Sequence, residues 1–220
     1  MFADRRSFLE QLTLGTASLA ALGQAAPESL AAQAGGHWDL SWTSRLKGKR
    51  RAVFDVPEIE DGYGVWRAII WKKQYSQVFN FPESTLSMVL ILRHDGIALA
   101  MNQDFWERYH IGPDKGVKDP VTGEPTRRNP VLDRTGAHAL PEQFGDFTLE
   151  DFLKGGGIVL GCALALQDCI DLIARTDKVD LAEASRKARS MLAPGVIMQP
   201  SGVFAATLAQ EYGCRYVRAS

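Results

Sequence analysis

A cysteine placed where a buried strand gives way to a helix is the feature of this chain best suited to chemistry. Residues 155–169 read Gly-Gly-Gly-Ile-Val-Leu-Gly-Cys-Ala-Leu-Ala-Leu-Gln-Asp-Cys. The apolar run Ile158 to Leu160 is short and bounded by glycine, as a central parallel strand is, and Ala163 to Ala174 follows with helical spacing of its apolar residues. Cys162 is therefore expected at the carboxyl end of a strand and the amino end of a helix. The unpaired N–H groups and positive dipole end of that helix favour thiolate over thiol, and the thiolate is the nucleophile. The same pattern also fits an inert reading, in which Cys162 is one more small buried side chain.

His94 follows the apolar run Leu86 to Leu92, so in a parallel sheet it falls at the same carboxyl edge as Cys162, where ligand crevices of open α/β sheets form. A Cys162–His94 pair would promote thiolate formation and move protons in sulfur chemistry. His-Asp-Gly equally suits a solvated turn. Arg127, Arg128, Arg134 and His138 fall in a stretch dense in Gly, Pro, Asp and Arg. Folded over the sheet edge, they would supply charge-assisted contacts to a sulfur oxyanion or carboxylate; the alternative is a solvated loop or a subunit contact. His37, His94, His110 and His138 lack the paired short spacing of a zinc site, and Gly155 to Gly157 precede their strand instead of following it, so neither a metal, a phosphate-binding loop nor another cofactor is implied.

Residues 1–34 stand apart from the rest. Arg5-Arg6-Ser7-Phe8-Leu9 precedes the mildly apolar run Leu12 to Leu22, and Ala32-Gln33-Ala34 has the small-x-small form of a cleavage site. The pattern resembles a twin-arginine export signal, which implies a periplasmic or otherwise exported protein; an ordinary amphipathic helix is the alternative. The run is too short for a membrane span, which needs roughly 20 apolar residues. Setting this segment aside removes two of the 25 basic and three of the 26 acidic residues, leaving 23 of each. A neutral balance argues against nucleic acid or an anionic membrane as the main partner. Cys162 and Cys169, seven positions apart on one expected helix, would have Cα atoms roughly 10 Å apart, too far to bridge. With Cys214 opening the last expected strand, three free thiols are expected.

The elements that must position these groups follow from periodicity. An extended lead-in over 35–50 carries Trp38 and Trp42. Strands are expected at 51–56, 86–92, 157–161, 195–199 and 214–218. A helix with one buried face is expected over Tyr63 to Asn80, one or two short helices over 96–109, and further helices at 163–174, 180–192 and 201–212. Thr148 and Asp151 suit a capping box before Phe152-Leu153. Residues 111–147 form an irregular insertion. The alternation of strand and helix points to an α/β fold with a mostly parallel five-stranded sheet.

Gly-Ile-Val-Leu-Gly-Cys-Ala-Leu-Ala-Leu, then Ala-Pro-Gly-Val-Ile-Met-Gln-Pro-Ser-Gly-Val and the closing Gly-Cys-Arg-Tyr-Val-Arg, are similar to the DsrE/DsrF-like family of small sulfur-handling α/β proteins. The specific motifs occupy residues 155–218; the insertion 111–147 is not part of the family's compact pattern. The resemblance implies a domain over 51–220 with helices on both faces of a parallel sheet, assembly into a homotrimer or homohexamer, and a persulfide-carrying cysteine served by a sulfur donor and acceptor. Cys162 is the one catalytic position that carries over. Two further readings stay open: a non-catalytic ligand-binding or assembly protein with a structural Cys162, and a redox sensor in which Cys162 oxidises reversibly.

Overall fold

The computed structural model describes residues 38–119, 122–132 and 147–220. Residues 1–34, expected from the sequence to be an export signal, lie outside them, as do Arg134 and His138. Five strands form one all-parallel sheet: β1 (Arg50–Val56), β2 (Leu86–Leu92), β3 (Ile158–Cys162), β4 (Val196–Gln199) and β5 (Arg215–Arg218). Their spatial order is β4-β3-β2-β1-β5. The register sets Val89 beside Ile158 and Leu92 beside Gly161, so the ends of β2 and β3 come out together.

Alternate strand residues feed two separate cores. Ala52, Phe54, Val56, Met88, Leu90 and Leu92 face a large cluster completed by Val65, Ala68 and Ile69 of α1 (Tyr63–Phe79) and by Phe105 and Trp106 of α2 (Gln103–Arg108). Val53, Val89, Ile91, Ile158 and Leu160 face a smaller one. The chain steps outward from β1 to β4 and then returns past β1 to β5. Since parallel crossovers are right-handed, the returning helix must lie on the opposite face from the others.

Thus α5 (Ala163–Asp177) and α6 (Leu181–Ser190) cover the larger core, whereas α7 (Gly202–Glu211) covers the smaller one through Ala205 and Ala209. No helix among the described residues is long and apolar enough to cross a membrane.

Two segments differ from expectation, the lead-in read as extended and the insertion read as irregular. In the lead-in, a 3₁₀ turn (Ser41–Arg45) carries Trp42, with no exposed surface, onto the smaller core beside Leu46. The described part of 111–147 is built into the domain. Ile111–Lys115 forms the short helix α3, Lys118 bridges Pro125 in antiparallel fashion, and Val117 and Val131 join the larger core. A Cβ on Gly112 would lie 1.7 Å from Thr126 O, so only glycine allows these two segments to meet.

The clamp for this segment is Asn129, which is 1% exposed. Its Nδ2 donates to Leu99 O and Met101 O at 2.9 and 2.7 Å, and its Oδ1 accepts the Val131 N–H at 3.1 Å. Polar composition suggested a solvated loop; here the polar groups serve buried backbone instead. The chain then enters α4 (Leu149–Lys154) through the Thr148–Asp151 capping box and returns to β3.

Asn129→Ala leaves two buried carbonyls without donors and should lower unfolding free energy by about 2–4 kcal/mol. Arg127→Ala, at an exposed position of the same segment, should change it by less than about 0.5 kcal/mol. Urea unfolding of both variants checks this difference.

Candidate functional site

Cys162 ends β3 and caps the 15-residue α5, with its Sγ accepting the Ala165 N–H at 3.4 Å. It is 6% exposed and packs in the larger core. All three cysteines are free. Burial pushes the Cys169 thiol up to about 12 and the Cys214 thiol up to about 11, so neither holds thiolate near neutrality. Of the three, Cys162 alone stands at a helix amino end, on the carboxyl edge of the sheet.

His94 stands at that same edge, one strand away, after β2. It is exposed and adopts a left-handed backbone with φ 46°. No hydrogen bond joins it to Cys162. His94 instead lines a cleft of ≈ 600 Å³ with Glu58, Glu60, Asp61, Asp95 and Lys115.

The walls of this cleft are the turns that follow β1 and β2, and their fit is tight. Gly96 N–H donates to Pro57 O at 3.0 Å, and a Cβ on Gly96 would lie 2.1 Å from Val56 O. Glu60 and Asp61 are left-handed too, with φ 38° and 54°. Left-handed non-glycine residues cost about 1 kcal/mol or more each, and they gather where surrounding structure holds them for a purpose. Three of them border one cleft. Lys115 Nζ lies 2.6 Å from Asp95 Oδ1, Arg67 pairs with Glu60 at 2.6 Å, and Lys118 N–H donates to Asp61 Oδ1 at 2.9 Å.

Beneath the edge, on the smaller-core face, lies a buried polar centre that no local pattern announced. Asp55 of β1 is 2% exposed. Arg93, just past β2, donates to its two carboxylate oxygens through Nε at 2.6 Å and Nη2 at 2.7 Å. Tyr216 of β5 donates its hydroxyl to Oδ2 at 2.5 Å. Burial alone would raise the Asp55 pKa, but the hydrogen bonds from Arg93 and Tyr216 outweigh it and hold the group below the usual carboxylate range. The three residues are far apart in sequence; the one available signal was a carboxylate inside the apolar run of β1.

Of the four residues expected on the insertion, Arg127 is exposed and Arg128 is half-buried, with Nε and Nη2 enclosed and without hydrogen-bond partners. Arg134 and His138 lie outside the described residues. Among the described residues no group of three or more His, Cys, Asp or Glu side chains is placed to hold a metal ion. No protein-family model matches the chain, and no curated protein matches it either.

Because the folded-state pKa of Asp55 is depressed, the stability it contributes is complete above the unfolded value of about 3.9 and is lost as pH falls through the lower folded value. The difference in unfolding free energy between the wild type and Asp55→Asn should therefore be constant above about pH 5 and shrink below about pH 4. Urea titrations across this range measure it.

Proposed function

We propose that this chain is an exported, DsrE-like sulfur carrier that accepts a sulfane sulfur on Cys162 and passes it on as a persulfide. The observation that supports the reading is the placement of Cys162 Sγ against the Ala165 N–H at the start of α5, at the sheet edge where α/β folds bind ligands. In the forward step the Cys162 thiolate attacks the outer sulfur of a donor persulfide. The donor's S–S bond breaks, its inner sulfur leaves as thiolate with the bonding pair, and Cys162 carries S–S⁻. An acceptor nucleophile then takes the terminal sulfur and Cys162 departs as thiolate, so no external oxidant is consumed.

At 6% exposure, Cys162 meets a donor only when the first turn of α5 opens. His94, one strand away at the same edge, would serve as proton carrier when that turn moves. The proposal includes export through the twin-arginine-like segment and assembly as a homotrimer or homohexamer. Exposed Leu164, Val203 and Phe204, in the first turns of α5 and α7, support subunit packing at the carboxyl edge.

A second reading is favoured by a different observation, the cleft beside His94. With Cys162 packed in the core and ≈ 600 Å³ open between left-handed turns, the protein would bind a small ligand and leave the thiol structural.

Incubation with a sulfane-sulfur donor, followed by intact mass, separates the two. An adduct of about +32 Da, one sulfur atom, that is absent in Cys162→Ser supports the carrier. An unmodified mass supports the binding reading, and an adduct that survives in the variant puts the sulfur on another of the free thiols and overturns the assignment to Cys162.

A further inference from the structure

A second cleft, of ≈ 390 Å³, opens on the far side of β1 from the cysteine strand, toward the amino ends of β1 and β5. It exists because β5 is an edge strand whose packing helix, α7, lies on the other face, while α1 lies over β1 and β2. The groove left between α1 and β5 is lined by Lys49, Arg50, Arg51, Arg215, Trp71 and Tyr75 among others.

Two properties set this groove apart. First, it gathers four cations in a chain of net charge −1, and among the described residues none of them is ion-paired with a carboxylate. Arg51 is fixed without being neutralised: its Nε donates to Gly48 O at 2.9 Å and its Nη1 to Tyr212 O at 2.7 Å. Arg50 stands over the Phe81 ring, 6.0 Å from its centroid. Unpaired cations so close repel one another, and an anion relieves that repulsion.

Second, an aromatic ladder runs from the core out past these cations. Phe54 meets Trp71 edge-on at 5.8 Å, Trp71 meets Tyr75 at 4.8 Å, Tyr75 meets Phe79 at 5.4 Å, and Phe79 stacks on Phe81 at 5.5 Å. Core packing accounts for Phe54 and Trp71. It does not account for carrying the ladder outward to Phe79, which is exposed. Charged residues on an edge strand guard against strand pairing, which explains Arg215 and Arg218, but not Lys49 to Arg51 on the inner strand's approach or the rings beside them.

We propose that this groove binds a mononucleotide, with the phosphate held by Arg50, Arg215 and Lys49 and the base lying against Trp71 and Tyr75. The class follows from the chemistry of the walls. Guanidinium forks match phosphate oxygens, several unpaired cations suit a dianion better than a carboxylate, and the rings offer a stacking surface for a planar base. The volume exceeds what a single ring needs and falls within the range of small-ligand sites. This site is separate from Cys162 and does not depend on sulfur carriage.

Titration of the full chain with adenosine monophosphate at low salt, followed by tryptophan fluorescence and calorimetry, tests it, with adenosine and inorganic phosphate as the two half-ligands. The expected result is saturable binding at least about tenfold tighter than either half, weakened about tenfold by Arg50→Gln or Arg215→Gln and by added salt. Both side chains are exposed, and thermal melting verifies that the variants fold. Trp71→Phe should remove the fluorescence change while calorimetry still detects binding. Affinity no better than that of phosphate or adenosine, or affinity unchanged in both arginine variants, overturns the proposal.

Discussion

One buried carboxylate holds the carboxyl edge of the sheet together. Asp55 ties β1 to the end of β2 through Arg93 and to β5 through Tyr216, and the Arg93 stem lies against Gly202 at the start of α7. The three strands and the returning helix meet at the one place where the chain reverses its direction across the sheet. A buried charge stripped of a partner typically costs about 3–5 kcal/mol, so each member depends on the others. His94 and the left-handed Glu60 and Asp61 lie on the turns that follow β1 and β2, two of the strands this centre ties together.

Above that constraint the two faces of the sheet differ in depth. The larger core is sealed by α1, α5 and α6, while the smaller one relies on α7 and on Trp42 from the lead-in. Removing a fully buried tryptophan typically costs about 3–5 kcal/mol, so the lead-in belongs to the fold as much as any helix does. On the deeper side, the thiols of Cys162 and Cys169 share one core yet differ in setting. Cys169 points from the middle of α5 into apolar surroundings, whereas Cys162 receives an N–H from the helix's own first turn.

Much of the architecture was legible in the sequence because it rests on periodicity and local chemistry. The runs Leu86 to Leu92 and Ile158 to Leu160 are apolar throughout, as strands covered on both sides must be, and they form β2 and β3. Thr148 and Asp151 make the capping box that their spacing implies. The placement of Cys162 at a strand end and helix start was legible for the same reason.

What escaped was long-range. Nothing local joins Asp55, Arg93 and Tyr216, and nothing local marks Asn129 as a buried clamp and not a loop asparagine. Composition misleads at 111–132 because polar side chains there satisfy buried carbonyls, a role indistinguishable in sequence from solvation. The basic groove was equally hidden, since Lys49 to Arg51 and Arg215 come together only when β5 pairs with β1.

Alkylation of the native protein, mapped by peptide mass over time, tests most directly whether Cys162 is the functional thiol. Modification of Cys162 well before Cys169 and Cys214 is the predicted result, because burial pushes the thiols of those two up to about 12 and about 11. Modification of all three together, only as the protein unfolds, would contradict it and leave Cys162 a packing residue.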